Sequence, residues 1–366
     1  MTKREFVKLA MASGLSMTIA REGYSGAGNS LTFGTIKTNE SMKAQNFQSA
    51  FIEIIKDATR APSGHNTQPW KFQVNGSQII LTPDYSRRLT IVDPDDHALF
   101  ISLGCALENL SLSAKAHGFT PTVTMNFQNG QDEIDCDLKK SDIEPKDPLY
   151  EAIYTRQCTR NKYDPTPIDQ YILDQMVAGA TSDAVEVILF TDRQQIKALE
   201  PFIIEGSNLQ FENEQFVDEL VSWIRFNKKK AEANGDGLWA SSTGSPNVPK
   251  FIGRMAVKNF TSAKSEAKRW KNLIEKTAGF ALFVAKENTK TNWVQLGRSF
   301  QRFGLKATQL GINHAHVNMP CEEMTVRKKM AAHLNLDSAQ PLLLIRFGYS
   351  EKMPYSFRRP VEEVLA

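Results

Sequence analysis

The chain is poor in the residues that would announce disulfide, metal or nucleic-acid chemistry. Its four cysteines, Cys105, Cys136, Cys158 and Cys321, form no C-x-x-C pair. That excludes a zinc knuckle and a thioredoxin-type dithiol, and leaves open only a structural disulfide. The six histidines are scattered. The one close pair, His314 and His316, would share a strand face with no third ligand for a metal. Charge is nearly balanced, 44 basic against 41 acidic residues for a net of +3, so no concentrated basic face argues for nucleic acid. No apolar run reaches the ~20 residues that a membrane-spanning helix needs.

What is present belongs to a folded protein: 366 residues, 41% hydrophobic and 23% charged, long enough for two domains or two fused halves. The N-terminus, MTKREFVKLAMASGLSMTIA, carries Lys3-Arg4, Phe6 and Lys8 ahead of a short, weakly apolar stretch. It resembles a twin-arginine export signal with lysine in place of the first arginine, which would send the folded protein to the periplasm through that export machinery. The alternative is an amphipathic tail on a cytoplasmic protein. Residues 21–40, rich in Gly, Ser, Thr and Asn, read as a linker.

From Asn46 onward, Phe47, Phe51, Ile54, Ile55 and Ala58 recur at helical spacing. Alternation in 70–74 and 78–82 around Asn75-Gly76 predicts a β-hairpin. A helix over 98–117 and strands over 120–127 and 133–138 follow. Beyond a proline-bearing connection at 141–148, the pattern predicts helices at 168–178 and 294–310 and strands at 185–190, 279–284, 313–318 and 342–347. The stretch from about 200 to 265 is mostly helical and polar, broken by Gly235-Asp236-Gly237, and reads as an insertion.

Part of the chain repeats. GCALENLSLSAKAHG at 104–118 aligns without gaps on GRSFQRFGLKATQLG at 297–311, an offset of 297 minus 104, or 193. Both copies keep glycine at each end, with Leu112 matching Leu305 and Ala114 matching Ala307. We expect two related halves in tandem: 1–40 as signal-like segment and linker, 41–148 as the first half, and 149–366 as the second, with the insertion at about 200–265.

One loop stands apart from ordinary turn chemistry: APSGHNTQPWKF at 61–72. It resembles the A-P-S-x-x-N-x-Q-P-W segment of FMN-dependent nitroreductases, and the order of elements from about 45 to 366 resembles that family outside the insertion. The stretches NGSQIILTPDYSRRL and DPDDHALFISLGCALENL are similar to the family's divergent Acg-like branch. Its other hallmark, R-x-S-x-R, appears only at the head of the second half, as Arg156-Gln157-Cys158-Thr159-Arg160, where Cys158 replaces the serine. Each half thus retains one part of a flavin site. The resemblance implies an α+β, nitroreductase-like fold of two α/β halves with helices around central β-sheets, fused as a pseudo-dimer with one complete FMN site.

The resemblance also implies roles. Pro62, Ser63 and Gly64 would let backbone approach the isoalloxazine ring, and the Asn66 amide would meet its polar edge. Arg156 and Arg160 would hold the phosphate, with Cys158 between them and Arg358 and Arg359 of FRRP as further ligands. Pro320, Cys321 and Glu322 of NMPCE would bring backbone near the reactive side of the ring. The cofactor carries the chemistry, so no catalytic side chain is named. Two functions are open: transfer of electrons from NAD(P)H through FMN to a nitroaromatic or quinone-like acceptor, or flavin binding with little turnover. The second would follow if the insertion, with Trp223, Arg225, Asp236-Gly237-Leu238 and Trp239, forms a lid. A peripheral helical hairpin is the alternative for the insertion. Packing is expected for Cys158 rather than reactivity, because no histidine lies near it in sequence.

Overall fold

A computed structural model describes residues 39–128, 130–141, 147–260 and 262–366. The export-signal-like segment lies outside the described residues. Contacts divide the chain into units Met1–Gln48 and Ser49–Ala366. Of the first, the described residues comprise only the opening of helix α1 (Asn39–Ala58); every other element belongs to the second.

Within that second unit α1 buries Phe51, Ile54, Ile55 and Ala58, one face of a helix as their spacing predicts. Strands β1 (Trp70–Asn75) and β2 (Gln78–Pro83) form the hairpin. Helix α2 (His97–Ala116) then leads to β3 (Phe119–Asn126) and β4 (Glu133–Lys140). These strands make an antiparallel sheet in the order β1-β2-β4-β3.

The second half begins with α3 (Gln170–Ala178) and β5 (Val185–Phe190). The insertion comes next as α4 (Arg193–Glu212), α5 (Glu214–Trp223), β6 (Ile224–Arg225), α6 (Lys228–Asn234), β7 (Leu238–Trp239), α7 (Lys250–Phe260) and α8 (Ala263–Glu275). It is helical, as expected, apart from the two-residue strands β6 and β7, which pair in parallel. The fold resumes with β8 (Gly279–Ala285), α9 (Lys290–Gln309), β9 (Asn313–His316), α10 (Met319–Glu322), α11 (Met324–His333) and β10 (Gln340–Gly348). The second sheet is antiparallel in the order β5-β8-β10-β9.

The strand orders coincide when β1, β2, β3 and β4 are matched to β5, β8, β9 and β10. Where the first half joins its leading strands through Gly76 and Ser77, the second does so through 191–278, a connection longer at both ends than the insertion expected at about 200–265. Helices α2 and α9, which carry the sequence repeat, cross at their matched glycines. A Cβ on Gly104 would lie 2.0 Å from Val294 O and 2.9 Å from Gly297 Cα; one on Gly297 would lie 2.0 Å from Ile101 O and 2.9 Å from Gly104 Cα. Ile101 and Val294 are themselves 193 apart, so the contact is reciprocal, as a two-fold axis imposes. Polar groups also span the crossing: Arg298 Nε and Arg302 Nη1 donate to Glu108 at 2.9 and 2.8 Å, and Gln301 Nε2 donates to Asn109 Oδ1 at 2.6 Å.

A large core runs through both sheets and includes Trp70, Phe72, Phe100, Phe283, Phe300 and Phe347. The outer face of the second sheet forms another core with α4 and α8, around Ile203, Trp270, Leu282 and Leu344. The chain's end returns to the first half: Phe72 N donates to Val364 O and Ala366 N to Phe72 O, each at 2.8 Å.

Several boundaries differ from the expected ones, two of them for identifiable local reasons. Helix α9 starts at Lys290 because Thr289 caps it, accepting from Asn292 N, before the apolar periodicity begins. Strand β9 stops at His316; Val317 N still donates to Leu344 O, but at Asn318 the side-chain Oδ1 takes Leu344 N and Met319 opens α10. All four cysteines are free, which closes the disulfide alternative. No helix among the described residues is long and apolar enough to cross a membrane.

Candidate functional site

The loop between α1 and β1 is held in a costly conformation. His65, Asn66 and Gln68 have φ of 46°, 56° and 54°, a region that non-glycine residues enter only when their surroundings compensate. Those surroundings are hydrogen bonds. Ser63 Oγ accepts from Gln68 N at 3.0 Å. Asn66 Nδ2 donates to Gly237 O and Phe357 O at 3.1 and 3.2 Å, and Gly237 N returns a bond to Asn66 O at 3.1 Å. Gln68, fully buried, donates to Gly235 O at 2.8 Å and accepts from Arg359 N at 3.0 Å.

The insertion therefore lies on this loop, as a cover would. Asp236 bridges two arginines, Arg87 from the first half and Arg225, whose Nε and Nη2 donate at 3.0 and 2.7 Å. Both guanidinium groups flank the Trp223 ring, at 5.3 and 5.5 Å. Trp239 packs at 5.3 Å on Phe357, and Glu219 accepts from the amides of Ile91 and Val92 at 3.1 Å. Trp223, Arg225, Trp239 and Asp236-Gly237 all contribute to this docked surface.

Segment Arg156–Arg160 enters beside the loop. Thr159 N donates to His314 O at 2.9 Å, so this segment runs along the edge of β9. Arg156 is 5% exposed; Nη2 donates to Arg60 O at 3.1 Å, while Nε and Nη1 meet no acceptor among the described residues. His314, fully buried against Phe300, leaves both ring nitrogens without a partner among them. Burial, then Arg156 and His316, hold its pKa well below the ordinary value. His65 Nδ1 is likewise unpartnered, and burial with Arg160 lowers that ring to about 4.

Arg358 and Arg359 are employed differently. Arg358 Nε donates to Thr59 O at 2.9 Å, Nη2 to Arg60 O and Ala61 O at 3.1 and 3.2 Å, and Nη1 to Asn66 Oδ1 at 3.1 Å. Arg359 Nη2 donates to Glu363 O at 2.8 Å, on the far side of Gln68. Both side chains hold the loop. Burial, then Arg156, lowers the Arg358 pKa to about 9; Arg60 acts in the same sense, and only the Cys158 thiol opposes them. The neighbourhood has a surplus of positive charge that an anion would relieve.

Pro320, Cys321 and Glu322 follow β9, and the Cys321 carbonyl accepts from Arg327 Nε. Pro320 and Cys321 are buried, and a Cβ on Gly206 of α4 would lie 2.8 Å from Met319 C, so that backbone faces α4. Glu322 accepts from Gln210 Nε2 at 2.7 Å, and burial raises its pKa.

Three features escaped sequence reasoning: the histidines 314 and 316 as partners of segment 156–160, Gln68 as the tie to Gly235, and the Arg87–Asp236–Arg225 clasp. For the first, the alternating His314 and His316 were a usable signal. The others tie Gln68 to Gly235 and Arg87 to Asp236, 167 and 149 positions apart, and leave no local trace. A separate network links the halves: His97 Nδ1 lies 3.0 Å from Asp93 Oδ1 and 2.5 Å from Asp95 Oδ1, and Arg327 Nη1 lies 3.4 Å from Asp95 Oδ2. Asp93 also accepts from the amides of Ala98 and Leu99 at 3.0 and 2.9 Å.

No family model matches the chain. It is 23% identical over 326 residues, 85% of this chain and 90% of the relative, to "Putative NAD(P)H nitroreductase Rv3131" of Mycobacterium tuberculosis. It is 22% identical over 333 residues, 85% and 95%, to "Putative NAD(P)H nitroreductase acg" of the same organism. Among solved structures, the FMN-dependent nitroreductase NfnB from Mycobacterium smegmatis, in complex with NADPH, aligns with a TM-score of 0.39 and 15% identity over 58% of this chain and 94% of its own. A nitroreductase with bound FMN from Bacteroides fragilis aligns at 0.36 with 12% identity over 58% and 94%.

Proposed function

Over 85% of its length the chain is a distant homologue of the nitroreductase family, and from that premise we propose that it is an FMN-binding oxidoreductase, its one flavin site built across two fused halves. The observation that carries the reading is Arg156: a buried guanidinium with Nε and Nη1 unspent, in a neighbourhood of net positive charge. Unpaired buried donors are costly, and the oxygens of an anionic cofactor would satisfy them. His314, with two free nitrogens, and the strained loop at 65–68 fit the same group.

When bound, FMN would supply two-electron transfer from NAD(P)H to a nitroaromatic or quinone-like acceptor. The chain's own part is binding and orientation. Arg156 and Arg160 offer charge to the phosphate, with Cys158 between them. Pro62, Ser63, Gly64 and Asn66 present loop backbone and an amide, and Arg358 and Arg359 keep that loop in shape. The backbone of Pro320, Cys321 and Glu322, packed on one side against α4, would approach the ring from its other side. Export through the twin-arginine machinery to the periplasm is part of the proposal; an exported enzyme would draw electrons from a donor other than cytoplasmic NAD(P)H.

The docked insertion favours a second reading, a flavin binder closed to nicotinamide. One experiment separates the two. Protein saturated with FMN is mixed anaerobically with NADPH or NADH, and the flavin band is followed. Bleaching supports the oxidoreductase; a band bleached by dithionite but by neither nicotinamide sinks the NAD(P)H-dependent reading and leaves the closed binder or an enzyme with a different donor. Failure to bind FMN at all sinks both.

A further inference from the structure

Cys158 lies on the segment that runs beside β9, and that pairing places His316 next to it across 158 positions of sequence. The Cys158 Sγ to His316 Nδ1 distance is 3.6 Å. Cys158 is half-buried as a residue, whereas Cys105, Cys136 and Cys321 are buried. The His316 ring packs edge-on against Phe300, at 5.1 Å between centroids.

The charges around the pair come from every element packed on it. On its own segment stand Arg156 and Arg160; from the C-terminal segment comes Arg358; Glu322 and, on β9, His314 interact with His316; Cys105 of α2 and Tyr163 are further titratable neighbours. Cations dominate. Next to them Arg156 keeps two buried donors with no acceptor among the described residues, and its Cδ and the His314 ring converge on the same point above Gly304, at 3.7 and 3.0 Å from where a Cβ would sit.

From this arrangement we propose that Cys158 and His316 form a thiolate–imidazolium pair, a nucleophilic site that takes α,β-unsaturated carbonyl compounds, quinones included. His316 accepts the thiol proton. The sulfur then adds to the β carbon of the electrophile, the C=C pair shifts onto the carbonyl oxygen, and that oxygen faces the free N–H groups of Arg156. His316 returns that proton to the α carbon of the enolate, which completes a thioether with no net oxidation or reduction. Burial would push the Cys158 thiol up, but the His316 charge, its hydrogen bond, Arg156 and Arg160 outweigh it and bring it down to about 6. The inference concerns the flavin-free protein, in which the Arg156 donors have no acceptor among the described residues; a bound flavin phosphate would compete for them.

The test is alkylation of the flavin-free protein by iodoacetamide and by N-ethylmaleimide, with the labelled cysteine located by mass spectrometry across pH 4.5–10. The expected result is labelling at Cys158 with a midpoint near pH 6, and rates at pH 7 at least tenfold above those of the three buried cysteines. In His316→Gln the midpoint should move up by a pH unit or more. Because that variant could misfold, thiolate absorbance of the wild type minus that of Cys158→Ser is titrated in parallel. A midpoint near the ordinary thiol value of about 8.5 by both methods in the wild type overturns the proposal, as does a low midpoint that a folded His316→Gln leaves unmoved. Slowing of the label by added FMN reports separately on the flavin site.

Discussion

The two halves use one strand order and one helix crossing, yet they differ in what connects their first two strands. In the first half two residues suffice. In the second, the connection is the insertion, and it returns onto the other half to bind the loop at 61–69 through Gly235, Asp236 and Gly237. The shared part is symmetric because a helix crossing at glycine admits only close, reciprocal packing. The unshared part breaks that symmetry, and the strained loop and the unspent arginine gather where it does so. Symmetric architecture here supplies rigidity, and the departure from it supplies a site.

The sharpest way to break this comparison is at the crossing. Gly104→Val and Gly297→Val each place a methyl group against a carbonyl oxygen, and each should cost at least about 3 kcal/mol in urea unfolding. If one is tolerated and the other is not, the crossing is not reciprocal. A smaller effect is expected from the ion network joining the halves. Burial resists charging of His97, but its hydrogen bonds to Asp93 and Asp95 raise it to about 9. A folded pKa above the unfolded value of about 6.5 gives stability that is complete below pH 6.5 and lost as pH rises through 9. The melting temperature should therefore fall between pH 6.5 and 9.5, by an amount equivalent to about 3 kcal/mol at most, and His97→Gln should abolish this slope.

At the site, Arg156→Met should weaken FMN binding about tenfold to a hundredfold in a fluorescence titration with little loss of stability. Arg358→Met should instead lower the melting temperature, since its donors hold the backbone of 59–61. Equal effects of the two variants on both readouts would erase the distinction between the unspent and the spent arginine. The mildest change is Gly235→Ala. Gly235 has φ of 64°, and an added Cβ would lie 2.6 Å from Arg358 O. The insertion should lift from the loop, costing about 1 kcal/mol, and faster amide exchange at 65–68 would register it. Unchanged exchange there would mean that the insertion does not cover the loop.

Much of the scaffold was legible because its signals are local. Alternation placed β5 at its observed bounds, and a 3.6-residue period placed α2 within one residue of where it lies. The repeat at offset 193 marked the glycines that meet in space. The mini-sheet of β6 and β7 was not legible, because two-residue strands have no period to detect. Nor was the use of Arg358. FRRP showed two guanidinium groups but not the carbonyls of 59–61 that would claim one of them. Around Cys158 the neighbouring sequence offers no histidine and so points to packing, whereas the fold brings one to 3.6 Å.

Sequence alone determined the longer elements, their order, the duplicated helix and the residue types of the proposed FMN site, since each of these is written in spacing or in a short motif. Tertiary structure decided which donors remain free, what covers the loop and which thiol has a base beside it. Those properties depend on distances between segments about 150 or more residues apart, and only the folded chain brings such segments into hydrogen-bonding range.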